Sequence, residues 1–301
     1  MKPSLLTVAK RALTGEAKLE PGAVLVAAVS GGPDSMALLH VLARLAPKLG
    51  IVVHAHGVDH GLRVEASREL DVAEAFAEHV GVPFGRSRLR VARGGNLQAR
   101  ARAARFEALA AAAKAVGART IATAHHADDR AETVLLRLMR GAGPRGLAVL
   151  PPRATLTGHD DLELVRPLVR ARREDVLAHI ERHAIPFSSD PSNLDPRFLR
   201  VRVRRELMPL LEDLAPGVAI HLVALADQLA EAGDGGGSSF PLSRSSQAAL
   251  AQLARSRSPT ARVWLPGALV VTFDPGSSDS YDPSSPRSPR ARPGRPTARR
   301  P

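Results

Sequence analysis

Val24-Leu25-Val26-Ala27-Ala28-Val29-Ser30-Gly31-Gly32-Pro33-Asp34-Ser35-Met36-Ala37-Leu38-Leu39 decides the fold. The run Val24 to Val29 is apolar, as a strand buried on both faces requires, and Met36, Leu38, Leu39, Leu42 and Leu45 recur at helical spacing. Ser30 to Ser35 therefore form the turn at which a strand end meets a helix start. Two adjacent glycines let the backbone approach a ligand closely, the helix N-terminus offers outward amides and partial positive charge, and Ser30 and Ser35 add hydroxyls. The ligand such a turn predicts is a phosphate, held by Ser30, Gly31, Gly32, Pro33, Asp34 and Ser35. A carboxylate beside a phosphate is repulsive unless a cation sits between them, which makes Asp34 a candidate Mg²⁺ contact. The plainer alternative is a capped turn, with Asp34 or Ser35 as N-cap.

Outward from this turn the pattern alternates. Val24 to Val29, Ile51 to His56, Arg88 to Val91 and Arg119 to Thr123 read as strands, separated by helices over Met36 to Ala46, Ser67 to Val80, Asn96 to Val116 and Asp128 to Met139. That order implies an α/β fold with a doubly wound parallel sheet, whose ligands sit at the strand carboxyl ends, where Ser30, His56 and His125 follow their strands. Pro151 and Pro152 break the pattern, and Thr155 to Glu163 is polar enough for a loop. Arg172 to His183, Phe198 to Leu214 and Ala219 to Ala232 then read as a helical extension. Gly233 to Ser239 has the composition of a flexible linker, and a small unit follows, with a helix over Ser243 to Ala254 and a hairpin over Arg262 to Phe273. Beyond Gly276, Ser, Pro and Arg supply 18 of 26 residues, a composition that predicts disorder. The expected organisation is an N-terminal segment 1–21, a nucleotide-binding domain 22–150, a helical extension 151–232, a linker and small truncated C-terminal unit 233–275, and a tail 276–301.

Composition narrows the classes of function. The 301 residues include no cysteine, so disulfides, thiolate metal sites and chemistry through a cysteine nucleophile or persulfide on this chain are excluded. No apolar run approaches the ~18 residues of a membrane helix, and the first ten residues lack a signal-peptide core, so a cytoplasmic protein without membrane contact is expected. The net charge of +12 suggests a polyanionic partner, although 37 of the 42 basic residues are arginine and the tail alone contributes six of them against Asp279 and Asp282.

A second constellation, His125-His126-Ala127-Asp128-Asp129-Arg130-Ala131-Glu132-Thr133, follows the strand ending at Thr123 and opens on the same sheet edge. Asp129 and Glu132 lie one helical turn apart on one face. Such a pair suits Mg²⁺ on a nucleotide or a cationic substrate, and His125 or His126 is placed to contact phosphate or move a proton. The competing reading makes Asp128 an N-cap, the acidic first turn a response to the helix dipole, and the His pair a surface feature.

The hexapeptide Ser30 to Ser35 resembles the pyrophosphate-binding loop, Ser-Gly-Gly-x-Asp-Ser, of the N-type ATP pyrophosphatases, which cleave ATP between the α and β phosphates and share the adenine nucleotide alpha hydrolase-like fold. Within that superfamily the stretch from His125 to Thr133, with Arg140 to Leu147, His56 to Arg63, Ala101 to Phe106, Arg166-Pro167-Leu168, Asp190 to Asn193 and Pro209 to Leu211, is similar to the tRNA(Ile)-lysidine synthetase family. Phe187, Phe106 and Val201 depart from the Trp, Tyr and Asn usual there. The resemblance implies a ligase that forms lysidine in the cytoplasm: O2 of the wobble cytidine of a CAU-anticodon tRNA(Ile) attacks ATP, pyrophosphate leaves, and free L-lysine displaces AMP at C2. It implies ATP and Mg²⁺, with Ser30 to Ser35 and His56 binding the nucleotide, Asp34 and Asp129 holding the metal, and Asp34, Asp129 and Glu132 in the chemistry. Glu132 is the expected lysine anchor. Arg102, Arg105, Arg140, Arg200, Arg202 and Arg204 are expected at tRNA phosphates or on solvated helix faces, and pairing into a homodimer is left open. The alternatives are an ammonia-dependent synthetase of the same superfamily and a non-catalytic RNA-binding module; a tRNA thiolase is disfavoured by the absence of cysteine.

Overall fold

In a computed structural model, which describes residues 3–59, 61, 65–89, 97–188, 195–234, 262–265 and 269–272, the strand that precedes the glycine turn is central. β1 (Val24–Ala28) lies between β2 (Val52–Asp59) and β4 (Thr120–Ala122) in a six-stranded sheet of order β3-β2-β1-β4-β6-β5. β3 (Phe84–Arg88) and β6 (His159–Val165) continue the parallel pairing, and β5 (Arg153–Leu156) closes the far edge antiparallel to β6. The connection after β1 runs one way across the sheet and the strand after β3 returns on β1's other side, so the loops following β1 and β4 diverge at a topological switch point.

Alternation along β1 assigns its two faces. Leu25, Ala27 and Val29 pack on α1 (Leu5–Arg11), α2 (Pro33–Leu49), α3 (Glu65–His79) and α7 (Arg173–Arg182), while Val26 faces Leu109, Ala110 and Ala113 of α4 (Leu97–Ala115). The expected segment 1–21 is thus α1 and a following π turn, Ala12–Glu16, whose Leu5, Ala9 and Leu13 enter the main core. α5 (Ala127–Leu138), α6 (Pro144–Leu147), the π turn Val203–Leu207 that follows α8 (Leu199–Arg202), α9 (Met208–Leu214) and α10 (Val218–Asp234) build two further apolar clusters, around Ala131 with Val203 and Met208, and around Val134 with Leu147 and Ala226. Among the described residues no single helix is long and apolar enough to cross a membrane.

Four expectations are corrected. Of the strand expected over Arg88 to Val91, Arg90 and Val91 lie outside the described residues, and Arg88 ends β3, Phe84–Arg88; as an edge strand it is paired on one side only, and it carries a single apolar residue, so hydrophobicity did not mark it. The loop expected over Thr155 to Glu163 is the β5–β6 hairpin, and the sheet therefore runs on to Val165. The helix expected over Phe198 to Leu214 is interrupted by a π turn, Val203–Leu207. The first two residues of the linker expected from Gly233 belong to α10, which continues to Asp234, and the rest of it lies outside the described residues.

Backbone contacts divide the chain into two units, Met1–Glu231 and Ala232–Pro301. The second contains the expected hairpin, β7 (Arg262–Leu265) antiparallel to β8 (Leu269–Thr272). The helix expected over Ser243 to Ala254, the tail and the segment Asp190 to Asn193 lie outside the described residues.

Where α2 meets α7, imidazoles replace aliphatic packing. His40 Nδ1 and His179 Nε2 share a hydrogen bond of 2.9 Å, and the His183 ring lies 4.7 and 4.5 Å from theirs. Burial, then the neighbouring charge of His183 and of Arg44 or Arg182, lowers both His40 and His179 to about 4. In the unfolded chain each titrates near 6.5, so as pH falls the unfolded state takes up protons that the folded state refuses. Stability is therefore complete above pH 6.5 and is lost progressively as pH drops toward 4. Urea titrations at pH 7 and pH 5 should show a lower midpoint at pH 5, and His179→Gln should shrink that difference.

Candidate active site

The turn Ser30–Pro33 closes on itself. Ser35 Oγ donates to the Gly32 carbonyl at 2.8 Å and accepts from the Ser30 amide at 3.1 Å, which binds the start of α2 to the end of β1. Gly31 has φ +82°, and its carbonyl accepts from the Ser188 amide at 2.8 Å. A Cβ on Gly31 would lie 2.4 Å from the Glu69 carbonyl oxygen, so a side chain is excluded by space as well as by conformation. Gly32 caps α2 and Pro33 occupies its first turn, where a missing N–H costs nothing. The helix thus presents its N-terminal amides beside Asp34, the geometry that favours a bound anion.

Across the switch point, β4 leads into α5 through His125 and His126. Their side chains part. His125 bonds to Thr123 Oγ1 at 2.9 Å, and burial, together with the cations Arg166, Arg102 and Arg105, lowers it to about 3, so it is neutral. His126 is 0% exposed and is the N-cap of α5: its Nδ1 accepts from the Asp129 amide at 3.2 Å, while Asp129 Oδ2 accepts from the His126 amide at 3.2 Å. His126 Nε2 lies 3.5 Å from Asp129 Oδ2 and 3.7 Å from Asp34 Oδ1, and this imidazole links the glycine turn to α5. Burial, helped by the Asp129 carboxylate, raises the Asp34 pKa. Burial acts the same way on Asp129, but His126, Arg200 and Arg204 more than offset it and bring that carboxyl below its usual range.

Glu132, 2% exposed, is the most buried carboxylate of the site. Arg204 reaches it at 2.6 Å and Arg200 at 3.0 Å, and both guanidinium groups also meet Asp129 Oδ1, at 3.1 and 3.0 Å. Of the arginines expected at RNA phosphates, Arg200 and Arg204 thus serve this carboxylate pair, and Arg202 pairs with Glu206 at 2.8 Å. Asp128 is occupied by Arg172 and by the Arg173 amide. Arg102 and Arg105 are different: among the described residues neither has a carboxylate partner, and both lie over the Phe106 ring, 5.1 and 5.3 Å from its centroid. Burial lowers Arg105 and Arg166 to about 10, and the Nε atom of each is buried without a partner. Arg166 is noted in the sequence only as part of the Arg166-Pro167-Leu168 segment, with no role assigned to it.

His56 is not drawn into this group. It lies inside β2, which continues to Asp59, and its Nε2 bonds to Ser87 Oγ of β3 at 2.8 Å. As for a metal, the buried Asp34 Oδ1 has no hydrogen-bond partner, as a ligand-facing carboxylate oxygen would. Among the described residues no group of three or more His, Cys, Asp or Glu side chains could hold an ion by itself. Mg²⁺ typically takes one or two carboxylates plus phosphate oxygens, a donor set that Asp34 and Asp129 fit once a nucleotide is bound.

Fold and site together define a doubly wound α/β protein with an anion cradle and a buried acidic pair at its switch point. The chain belongs to the PP-loop domain family, whose profile matches residues 6–211. The tRNA(Ile)-lysidine synthase of Symbiobacterium thermophilum is 42% identical to it over 219 residues, 71% of this chain and 45% of that one. That of Novosphingobium aromaticivorans is 41% identical over 214 residues, 71% of this chain and 64% of the relative. The chain therefore spans between about half and two thirds of the length of these relatives. Among solved structures, a U34-tRNA thiolase, NcsA from Methanococcus maripaludis, superposes with a TM-score of 0.62 at 20% identity, over 75% of this chain and 80% of that one, which supports the fold.

Gly31→Ala should destabilise the protein by about 1–3 kcal/mol, because it places an L-residue in a left-handed conformation against a carbonyl. Chemical denaturation measures this loss, and inorganic pyrophosphate should protect the wild type against denaturation more than the variant.

Proposed function

We propose that the chain attaches free lysine to C2 of the wobble cytidine of a CAU-anticodon tRNA(Ile), consuming ATP and releasing AMP and pyrophosphate. The observation that carries this reading is the convergence on one sheet edge of the Ser30–Ser35 turn with Asp34, the carboxylate pair Asp129 and Glu132, and arginines without carboxylate partners among the described residues. The similarity to lysidine synthases over about seven tenths of the chain supports the choice of substrates.

Each step makes a physical demand that this edge can meet. Cytidine O2 attacks the α-phosphorus of ATP, the bond to the bridging oxygen breaks, and the departing pyrophosphate needs its charge taken up. The Ser30–Ser35 turn, Gly31 and Gly32 amides and the α2 dipole do this. Asp34 and Asp129 would hold Mg²⁺, whose contribution is further neutralisation of phosphate charge. The amine of lysine, after losing a proton, attacks C2, and AMP leaves. Glu132, with Asp129, anchors lysine's ammonium group, exchanging for Arg200, which at 43% side-chain exposure is freer to swing out than Arg204 at 28%. Arg102, Arg105 and Arg166 face the phosphates of the RNA, and region 151–232 supplies further substrate contacts.

Labelled lysine should enter a tRNA(Ile) transcript with a CAU anticodon in the presence of ATP, and should not enter a transcript whose wobble C is replaced by U. Pyrophosphate release that needs ammonia instead of tRNA would replace this reading with an ammonia-dependent synthetase. Glu132→Gln should raise KM for lysine about tenfold or more while leaving KM for ATP near wild type; an unchanged lysine dependence removes the anchor role. Arg102→Gln and Arg105→Gln should each weaken tRNA binding and lower its dependence on log salt by about one unit of slope, measured by filter binding across a salt series.

A further inference from the structure

We infer that His126 is a positioning residue whose Nε2–H, fixed in that tautomer by the helix cap at Nδ1, holds the carboxylates of Asp34 and Asp129 in register across the switch point. The inference rests on the proposed ATP chemistry for its kinetic consequence and on geometry alone for its structural content.

A neutral imidazole has one donor and one acceptor nitrogen. Nδ1 accepts the Asp129 amide at 3.2 Å, and an amide can only donate, so Nδ1 carries a lone pair and the proton is on Nε2. Protonating Nδ1 would set N–H against N–H and undo the first turn of α5, even though Asp128 Oδ2 lies 3.8 Å away; that carboxylate is already engaged by Arg172 and by the Arg173 amide. The remaining donor is buried and lies 3.5 Å from Asp129 Oδ2 and 3.7 Å from Asp34 Oδ1, a few tenths of an ångström beyond a normal hydrogen bond to either. It faces two carboxylate oxygens on two elements, α2 and α5, and is hydrogen-bonded to neither. A nitrogen so protonated has no lone pair for a metal or for abstracting a proton. His126 therefore acts through the carboxylates it aims, and it is neither a ligand nor a general base.

Two substitutions separate cap from bridge. In His126→Asn the side-chain oxygen replaces Nδ1 as a good N-cap, but nothing reaches the position of Nε2. In His126→Gln the amide nitrogen reaches that position, and the cap is lost. Pyrophosphate release with tRNA, ATP and Mg²⁺ should fall roughly tenfold to a hundredfold in His126→Asn with a near wild-type Tm, as expected when reacting groups are mispositioned. His126→Gln should have a lower Tm yet recover most of the turnover. Wild-type turnover in His126→Asn, or activity that simply follows Tm in both variants, overturns the inference. The tautomer is read separately from ¹⁵N shifts of histidine-labelled wild-type protein, with the His126 signals assigned by their loss in His126→Asn. A pyrrole-type Nε2 and pyridine-type Nδ1 are expected, and the opposite tautomer or an imidazolium overturns the inference. If the wild type releases no pyrophosphate, the proposed function fails, and the ¹⁵N measurement still decides the state of His126.

Discussion

Two carboxylates buried one helical turn apart cannot stand alone. At the start of α5 the Glu132 side chain has almost no contact with water and that of Asp129 is 13% exposed, and isolated burial of such charges would drive them to protonate or the helix to unfold. The protein answers with Arg200 and Arg204, one turn apart on the segment that follows α7, so that two acids on one helix meet two guanidinium groups on another. This exchange of charge fixes the helical extension against the sheet edge, and it sets the shape of the region in which the substrates are proposed to meet. Removing one partner of such a buried pair typically costs about 3–5 kcal/mol, less where the remaining guanidinium stays within reach.

A second set of charges secures the same helix from its other side. Arg130, 0% exposed, donates to the Val149 carbonyl and pairs with Asp227 on α10 at 2.6 Å; Arg170 shares Asp227 and also reaches Glu16 in the N-terminal segment. α5 is therefore held on both flanks by compensated charge. The arginines near His125 have no such compensation. Arg102, Arg105 and Arg166 have no acidic partner among the described residues, and burial first, then the neighbouring Arg102, lowers Arg105 and Arg166. One edge of the sheet thus contains both a satisfied electrostatic network and an unsatisfied cationic one, which is the asymmetry expected where an anionic substrate completes the site.

How much of this was legible in the sequence depends on how local each signal is. Ser30 to Ser35 could be read outright, because strand, glycine pair and helix start occur within one short stretch and the bonds that close the turn, from Ser35 to Ser30 and Gly32, span at most five residues. The acidic face of α5 was equally local. The partners of that face were not, since Arg200 and Arg204 lie 68 to 75 residues from the acids and were expected at RNA phosphates or on solvated helix faces instead. β3 and the β5–β6 hairpin escaped notice for another reason: edge strands need one apolar face at most, and the polar residues of β5 and β6 imitate a loop. His126 was recognised as placed for function, but sequence could not say that it points inward as a cap while His125 turns toward Thr123.

In the proposed reaction the Ser30–Ser35 turn and the α5 acids together direct ATP's α-phosphorus onto an RNA base. The most direct measurement is a rapid quench of enzyme, CAU-anticodon tRNA(Ile) and ATP labelled at the α-phosphate, with lysine withheld. The account predicts label on the RNA in step with pyrophosphate release, discharged as AMP when lysine is added, and no label with Asp34→Asn. Label that never joins the RNA, or that persists in Asp34→Asn, would contradict it.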